Sequence, residues 1–556
     1  MRDFVPRLAP VERQRRYRAD GLWTDDTFAS VAAEGLVASR NERARILSAT
    51  RPYDGTVGDL ADQGAQLAGL LASRGIGTGD VVAFQLPNWA EAVATFYGLL
   101  RLGAVAVPVV HIYGHKELGH ILRESRARAL ITTDRFGSHD YVVELADIDG
   151  PLPDLELVVM VETQSAAPRV GPDTVTWDDV LAFDRPFTDL VTVDPDTPSF
   201  VCYTSGTTAA PKGVVHSSRS FIAEMRQGAM QRAQVPLPAG SVMPRGNLSG
   251  APVGHVAGMM TMLGPVMAQS SLHMLDRWDA GLVLRIMRED LLTSGSGATF
   301  FLNSLIDHPD FDPSVHGPLM SRVGMGGSPI PAEIARRASA LGISLVRSYG
   351  STEHPSITGA SHGEPEVVRT CTDGAPMPGV ELRLVDDDGV EVGVGTPGEI
   401  LSRGPELFLG YADPSSTAAA FDGDWYVTGD VGVLDEAGNL TITDRKKDII
   451  IRGGENVSAA EVEELVLRIP SVTEVAVVAA PDARYGEHGC AFVRLGDRGA
   501  VFTLAELSEH LEAEGLARQK WPEELRFVPD FPRTASGKIQ KHALRDELRR
   551  EAASVP

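Results

Sequence analysis

The sequence predicts an α/β multidomain protein with a large N-terminal domain of two α/β-layered sheets plus a small barrel, and a small α+β C-terminal domain. Three observations predict this. In the first half, helical segments alternate with short, continuously apolar runs, the pattern of parallel strands covered on both faces. From about Gly379 to Ile442 the texture changes to short alternating strands separated by Asp/Gly turns, the pattern of an antiparallel sheet or barrel. From Asp444 onward a last unit carries its own helical stripe, strand and basic tail. The divisions expected are 1–443 for the large domain, 379–443 for its barrel-like part, and 449–556 for the C-terminal domain, joined by 444–448.

The elements follow in order. Leu60, Leu67 and Leu71 share one helical face, and the turn Gly75-Ile76-Gly77-Thr78-Gly79-Asp80 leads into a strand over 81–86. A helix from about Trp89 precedes a strand over 104–108, and further buried strands fall at 129–132 and 157–160. The apolar run Phe200-Val201-Cys202 feeds a Gly/Ser/Thr loop, and 343–346 reads as another strand. Glu381-Leu382-Arg383-Leu384-Val385 represents the barrel texture. In the last unit Ser458-Ala459-Ala460-Glu461 is a capping box, followed by the stripe Val462, Leu465, Val466 and Ile469. A strand over 475–478 and a helix around Leu504, Leu507 and Leu511 complete it.

The chain's 556 residues call for more than one core, and its 43% hydrophobic and 23% charged residues are those of a globular protein. A net charge of −24 argues against a nucleic-acid footprint. Cys202, Cys371 and Cys490 are too far apart for a C-x-x-C pair, so neither a disulfide framework nor a zinc site is expected, and a reducing cytoplasm fits. The apolar window from Ala90 to Val110 is broken by Glu91, Arg101, Gly103 and Pro108, so no membrane insertion is expected.

The chemistry concentrates in six segments. Tyr203 to Val214 holds four hydroxyls (Thr204, Ser205, Thr207, Thr208), Gly206, Gly213 and Lys212. Glycines allow close backbone approach, hydroxyls and N–H groups donate, and the lysine adds charge, which together suit a polyphosphate. The spacing differs from G-x-x-x-x-G-K-[ST]. Tyr349-Gly350-Ser351-Thr352-Glu353 places an aromatic ring and a carboxylate at a strand end, where ligands of open α/β sheets bind, and Glu353 suits Mg²⁺. In Trp425-Tyr426-Val427-Thr428-Gly429-Asp430 the acid can accept from a ribose diol. Asp444-Arg445-Lys446-Lys447-Asp448 precedes Ile449-Ile450-Ile451, and Arg452-Gly453-Gly454-Glu455-Asn456 offers a glycine pair that admits a narrow ligand. Arg533-Thr534-Ala535-Ser536-Gly537-Lys538 sets a lysine on a Ser-Gly turn. Each alone suits an ordinary surface loop; the set and its order carry the argument.

In this order, from about Thr56 to Lys541, the segments resemble the adenylate-forming superfamily, in its acyl-CoA synthetase branch. The resemblance implies an ATP-dependent, AMP-forming acid–thiol ligase with two half-reactions: an acyl-adenylate and pyrophosphate form first, then CoA takes the acyl group. It implies that Thr204, Ser205, Gly206, Thr207, Thr208 and Lys212 hold the phosphates, Glu353 holds Mg²⁺, and Thr352 lies near the α-phosphate. Gly327, Ser328 and Pro329, with Ser348, Tyr349, Gly350 and Ser351, would frame the adenine, and Asp430 and Arg445 the ribose. Lys538 would serve the first step and Gly453-Gly454 the second, exchanged by a mobile C-terminal domain hinged at Lys447. The same resemblance implies a homodimer, as is common in the family.

The acyl pocket is less legible. Ser249 to Met260 corresponds to one wall and Gly326-Gly327 to the other, with His255 beside the acyl carbonyl. This stretch lacks the aspartate with which amino-acid adenylation domains pair a substrate ammonium. Its small residues, with Met243, Met259, Met260, Met262 and Met267, suggest an adaptable apolar pocket for a bulky or alicyclic acid. The general texture is similar to cyclohexanecarboxylate-type CoA ligases and to acyl-CoA synthetases of bacterial diterpenoid-antibiotic pathways. Three alternatives stay open: a ligase delivering to an acyl carrier protein, an enzyme of one half-reaction, and a nucleotide-binding scaffold.

Overall fold

A computed structural model describes residues 4–163, 173–204, 211–233, 241–327, 330, 332–482, 484–496, 501–534 and 536–554. Ser205, Gly206, Thr207, Thr208, Ser328 and Pro329 therefore lie outside the described residues.

The first layered sheet has eight strands. From one edge they run Gly410–Tyr411, Lys212–Ser217, Pro198–Thr204, Val105–Pro108, Val81–Gln85, Ala129–Thr133, Leu157–Val161 and Thr174–Thr176. The strands from Pro198–Thr204 to Thr174–Thr176 pair in parallel. Lys212–Ser217 breaks that rule, returning antiparallel to Pro198–Thr204 with Thr204 opposite Lys212. The phosphate-loop candidate is therefore the connection of an antiparallel hairpin, a return that the sequence pattern did not predict. Helices Val57–Ser73 and Ala90–Leu102 pack against each other beside this sheet, with Leu60, Leu67, Leu71, Phe96 and Leu99 fully buried. Thr56 and Asp59 cap the first reciprocally, an arrangement that contributes about 1 kcal/mol.

The second layer is built from two four-stranded sheets. One orders Leu248–Ser249, Leu272–Leu275, Arg43–Leu47 and Tyr53–Thr56; the other orders Val323–Met325, Leu345–Tyr349, Thr358–Gly359 and Ala375–Pro376. The strand expected at 343–346 runs over Leu345–Tyr349, two to three residues later, so it delivers Tyr349 directly to the turn that follows. A five-stranded antiparallel sheet over 381–445 forms the barrel-like part, and its last strand, Leu440–Arg445, places Arg445 opposite Asp430.

After a single 3₁₀ turn at Lys446–Asp448, the chain builds a separate five-stranded sheet with helices Ala459–Val466, Leu504–Ala513 and Lys541–Ser554. Ile450, Val462, Val466, Val477, Leu507 and Leu511 form its own core. Only half of the expected capping box forms: Ser458 Oγ accepts from Glu461 N, but the Glu461 carboxylate pairs with Lys520 at 2.7 Å. Among the described residues no helix is long and apolar enough to cross a membrane.

Candidate active site

Five separate segments meet around Lys538. The strand Leu345–Tyr349 ends in a turn closed by Ser351 N donating to His354 O at 2.9 Å, which leaves Thr352 and Glu353 at its tip. Other elements fix each residue of this turn. His216 Nε2, on the hairpin's return strand, donates to Thr352 O at 2.7 Å; burial pushes the ring down to about 4, so it stays neutral. Phe408 N donates to Glu353 O at 2.9 Å, and the Tyr411 hydroxyl donates to Glu353 Oε1 at 2.7 Å. The buried His354 ring reaches Ser402 Oγ at 2.9 Å. Gly350 is required here, because a Cβ would fall 1.9 Å from Pro355 O.

Asp430 lies across from this turn. Its Oδ2 accepts from the Tyr349 hydroxyl at 2.7 Å and its Oδ1 pairs with Arg445 Nε at 2.7 Å. Ser348 Oγ donates to Met325 O at 3.1 Å, tying that strand to the Gly326-Gly327 wall. Gly327 has φ +77°, and a Cβ there would stand 3.4 Å from Lys538 Cε, so glycine leaves room for the arriving side chain.

Lys538 comes from the C-terminal unit. Thr534 Oγ1 accepts from Lys538 N at 3.1 Å, and Thr534 N donates back to Lys538 O at 2.8 Å, which closes the loop. The loop is seated on the large unit by Phe300: Arg533 lies 4.9 Å over its ring, and a Cβ on Gly537 would be 3.2 Å from it. Burial, then the Arg445 guanidinium, pulls the ammonium down to about 8 against the opposing pull of Asp430 and Glu353. His255, at the N-terminus of helix Val256–Ala268, is held at about 4 by burial and then by Lys538. It is therefore a neutral ring beside a cation.

The structure thus brings together Thr352, Glu353, His255, Gly327, Ser348, Tyr349, Gly350, Ser351, Asp430, Arg445 and Lys538. Thr204 and Lys212 flank the loop on the hairpin. Lys447 sits in the 3₁₀ turn, its ammonium lowered by burial and then by Arg445. Gly453 and Gly454 do not join the cluster: with φ +60° and +92° they form the exposed tip of the hairpin Ile450–Arg452/Glu455–Val457.

The acyl wall differs from the sequence reading. Met259 and Met262 are fully buried in the main core, Met260 and Met267 pack against it, and Met243 is exposed. The space above Gly250 is filled by Trp278, and that above Gly258 by Pro252 O. What remains is a small cavity between Leu248, Ser249, Ala251, Trp278, Ser294 and Phe301. Next to the Ser296 side of this cavity, Gly297 O accepts from Gly326 N at 3.1 Å.

The sequence reading missed His216, Tyr411 and Phe300. Only His216 left a trace, four residues after Lys212 on the same strand.

The profile described as AMP-binding enzyme matches residues 37–412. The chain belongs to the AMP-binding enzyme family. A second profile, the AMP-binding enzyme C-terminal domain, matches residues 461–538, which include Lys538. This AMP-binding enzyme is 32% identical over 542 residues to the medium-chain fatty-acid–CoA ligase of Escherichia coli K12, covering 97% of this chain and 93% of that one. It is 33% identical over 502 residues to the 3-[(3aS,4S,7aS)-7a-methyl-1,5-dioxo-octahydro-1H-inden-4-yl]propanoyl:CoA ligase of Rhodococcus jostii RHA1, covering 88% and 93%. The solved structure of ATP-bound MatB from Rhodopseudomonas palustris is similar with a TM-score of 0.79 at 26% identity, covering 93% and 98%. The family resemblance drawn from the motifs holds, and the relatives are consistent with the acyl-CoA synthetase branch of the adenylate-forming enzymes.

Proposed function

We propose that the chain is an AMP-forming acyl-CoA ligase that activates a bulky, apolar carboxylic acid. The observation that carries this reading is Lys538 itself, lodged between Gly327, His255, Glu353, Asp430 and Arg445 although it arises on the other unit. The reaction requires such a charge, because its first step drives a carboxylate against a polyanion.

In this reading Thr204 and Lys212, with Ser205 to Thr208 between them, receive the β- and γ-phosphates. Asp430 and Arg445 hold the ribose, while Tyr349, Gly350 and Ser351 border the adenine with Gly327, Ser328 and Pro329. Thr352 stands at the α-phosphate. The donor set at Glu353 fits Mg²⁺: a single carboxylate, oriented by the Tyr411 hydroxyl, suits a cation that takes one or two carboxylates plus substrate phosphates. When bound, Mg²⁺ neutralises charge on the departing pyrophosphate. Lys538 spans the acid oxygen and the α-phosphate, and contributes most where charge is shared in the transition state. The neutral His255 lines the acyl carbonyl without adding a second cation. Trp278 and Phe301 border the cavity proposed for the acid, and the medium-chain and bicyclic acyl groups named for the two relatives support an apolar one. ATP and CoA as co-substrates support a cytoplasmic location.

Lys538→Ala should slow pyrophosphate release by at least ~100-fold, the scale of losing one preorganised charge. It should spare CoA-dependent thioester formation from supplied acyl-adenylate. Near-normal pyrophosphate release would remove the basis of the assignment. Repeating the wild-type assay over a panel of acids, with and without CoA, identifies the acid and separates CoA from a carrier protein as acceptor.

A further inference from the structure

We propose that Tyr411 is a positioning residue for the Glu353 carboxylate and, through its ring, for Lys212, so that one rigid side chain sets the spacing of the two groups that meet the triphosphate. The inference rests on the reading of Glu353 as the Mg²⁺ ligand.

Tyr411 occupies the edge strand Gly410–Tyr411, paired antiparallel to Val214 and Val215 of the phosphate-loop hairpin. Its backbone is pinned twice by Thr417 Oγ1, which accepts from Tyr411 N at 2.8 Å and donates to Tyr411 O at 3.3 Å. The ring is buried edge-on against Phe408, with centroids 5.0 Å apart. Two interactions leave this fixed ring. The hydroxyl donates to Glu353 Oε1 at 2.7 Å, and Lys212 Nζ lies 5.2 Å over the ring face.

A structural role alone would not need the hydroxyl. The cluster of Val214, Phe408 and Tyr426 accommodates an aromatic ring, and a buried hydroxyl is costly unless it is bonded. Its acceptor is the one carboxylate oxygen whose orientation decides where the other points. Fixing Oε1 through the Tyr411 hydroxyl sets the plane of the carboxylate and with it the direction of Oε2.

Calorimetric titration of ATP into the full-length protein at a series of free Mg²⁺ concentrations tests this without turnover. Tyr411→Phe should raise the Mg²⁺ concentration for half-maximal tightening of ATP by ~10-fold, the lower end of losing a partner that orients a ligand. ATP affinity in EDTA should stay within ~2-fold, because the ring still seats Lys212. Tyr411→Leu should show the same Mg²⁺ shift and in addition weaken ATP in EDTA by ~5-fold. Glu353→Gln is the reference, and adding Tyr411→Phe to it should shift the Mg²⁺ dependence no further. A wild-type Mg²⁺ dependence in Tyr411→Phe beside a shifted Glu353→Gln overturns the role of Tyr411 alone. An unshifted Glu353→Gln overturns the metal reading beneath it.

Discussion

Lys538 shows how one charge can be tuned by where it is placed. The docked ammonium titrates near 8, below the ordinary value of 10.5, because the docked state favours the neutral amine. The sign follows: docking without nucleotide grows more favourable as pH rises from about 8 toward 10.5, while adenylation needs the charged form and loses it over the same window. The profile of kcat/KM for ATP, which reports the free enzyme, should therefore begin to fall near pH 8. Lys538→Arg should be slower but level across that range, since a guanidinium stays charged. A wild-type profile level up to about pH 10 would contradict the tuning. Lys538 and Glu353 were legible in the sequence because each rides on a Gly/Ser/Thr turn, and Asp430 because a Thr-Gly pair precedes it, although the structure places it inside the strand Trp425–Leu434 and not after a turn. Tyr411 and His216 were not, since strand pairing brings them to the turn from 58 and 136 residues away.

Between the two units the decisive element is the 3₁₀ turn. On its upstream side Lys446 Nζ pairs with Glu399 at 2.8 Å, and on its downstream side Asp448 pairs with Arg545 at 2.6 Å. One clamp belongs to the five-stranded barrel-like sheet and the other to the last helix, and the hinge proposed at Lys447 falls between them. Lys447→Pro should keep adenylation within ~3-fold while lowering thioester formation by ~10-fold or more, read as separate half-reactions. Equal loss of both would count against a joint at this position. Element types were legible wherever periodicity was strong, as in the helix Val57–Ser73 or the strands at 129–133 and 157–161. Strand direction was not: a short polar loop does not state whether the chain continues into a helix or doubles back, and Lys212–Ser217 doubles back.

Across the whole molecule, the order of textures along the chain gave the architecture, because each layer has its own hydrophobic period. The acid's identity stayed hidden, and the cavity proposed for it takes residues from four segments, at 247–251, 278, 294–296 and 301. A wall assembled from such scattered pieces has no motif. The helix Thr299–Ile306 couples that wall to the C-terminal unit: Phe301 faces the cavity, and Phe300 bears the lysine loop. Phe300→Ala should reduce the difference in adenylation kcat between a preferred and a poorly fitting acid by ~5-fold, with the ratio of their KM values changing less. A larger change in the KM ratio than in the kcat ratio would refute the coupling. If it holds, an acid that presses this helix out of place also spoils the lysine's landing surface. Such an acid would bind without being activated, so the enzyme would inspect its substrate before ATP is consumed.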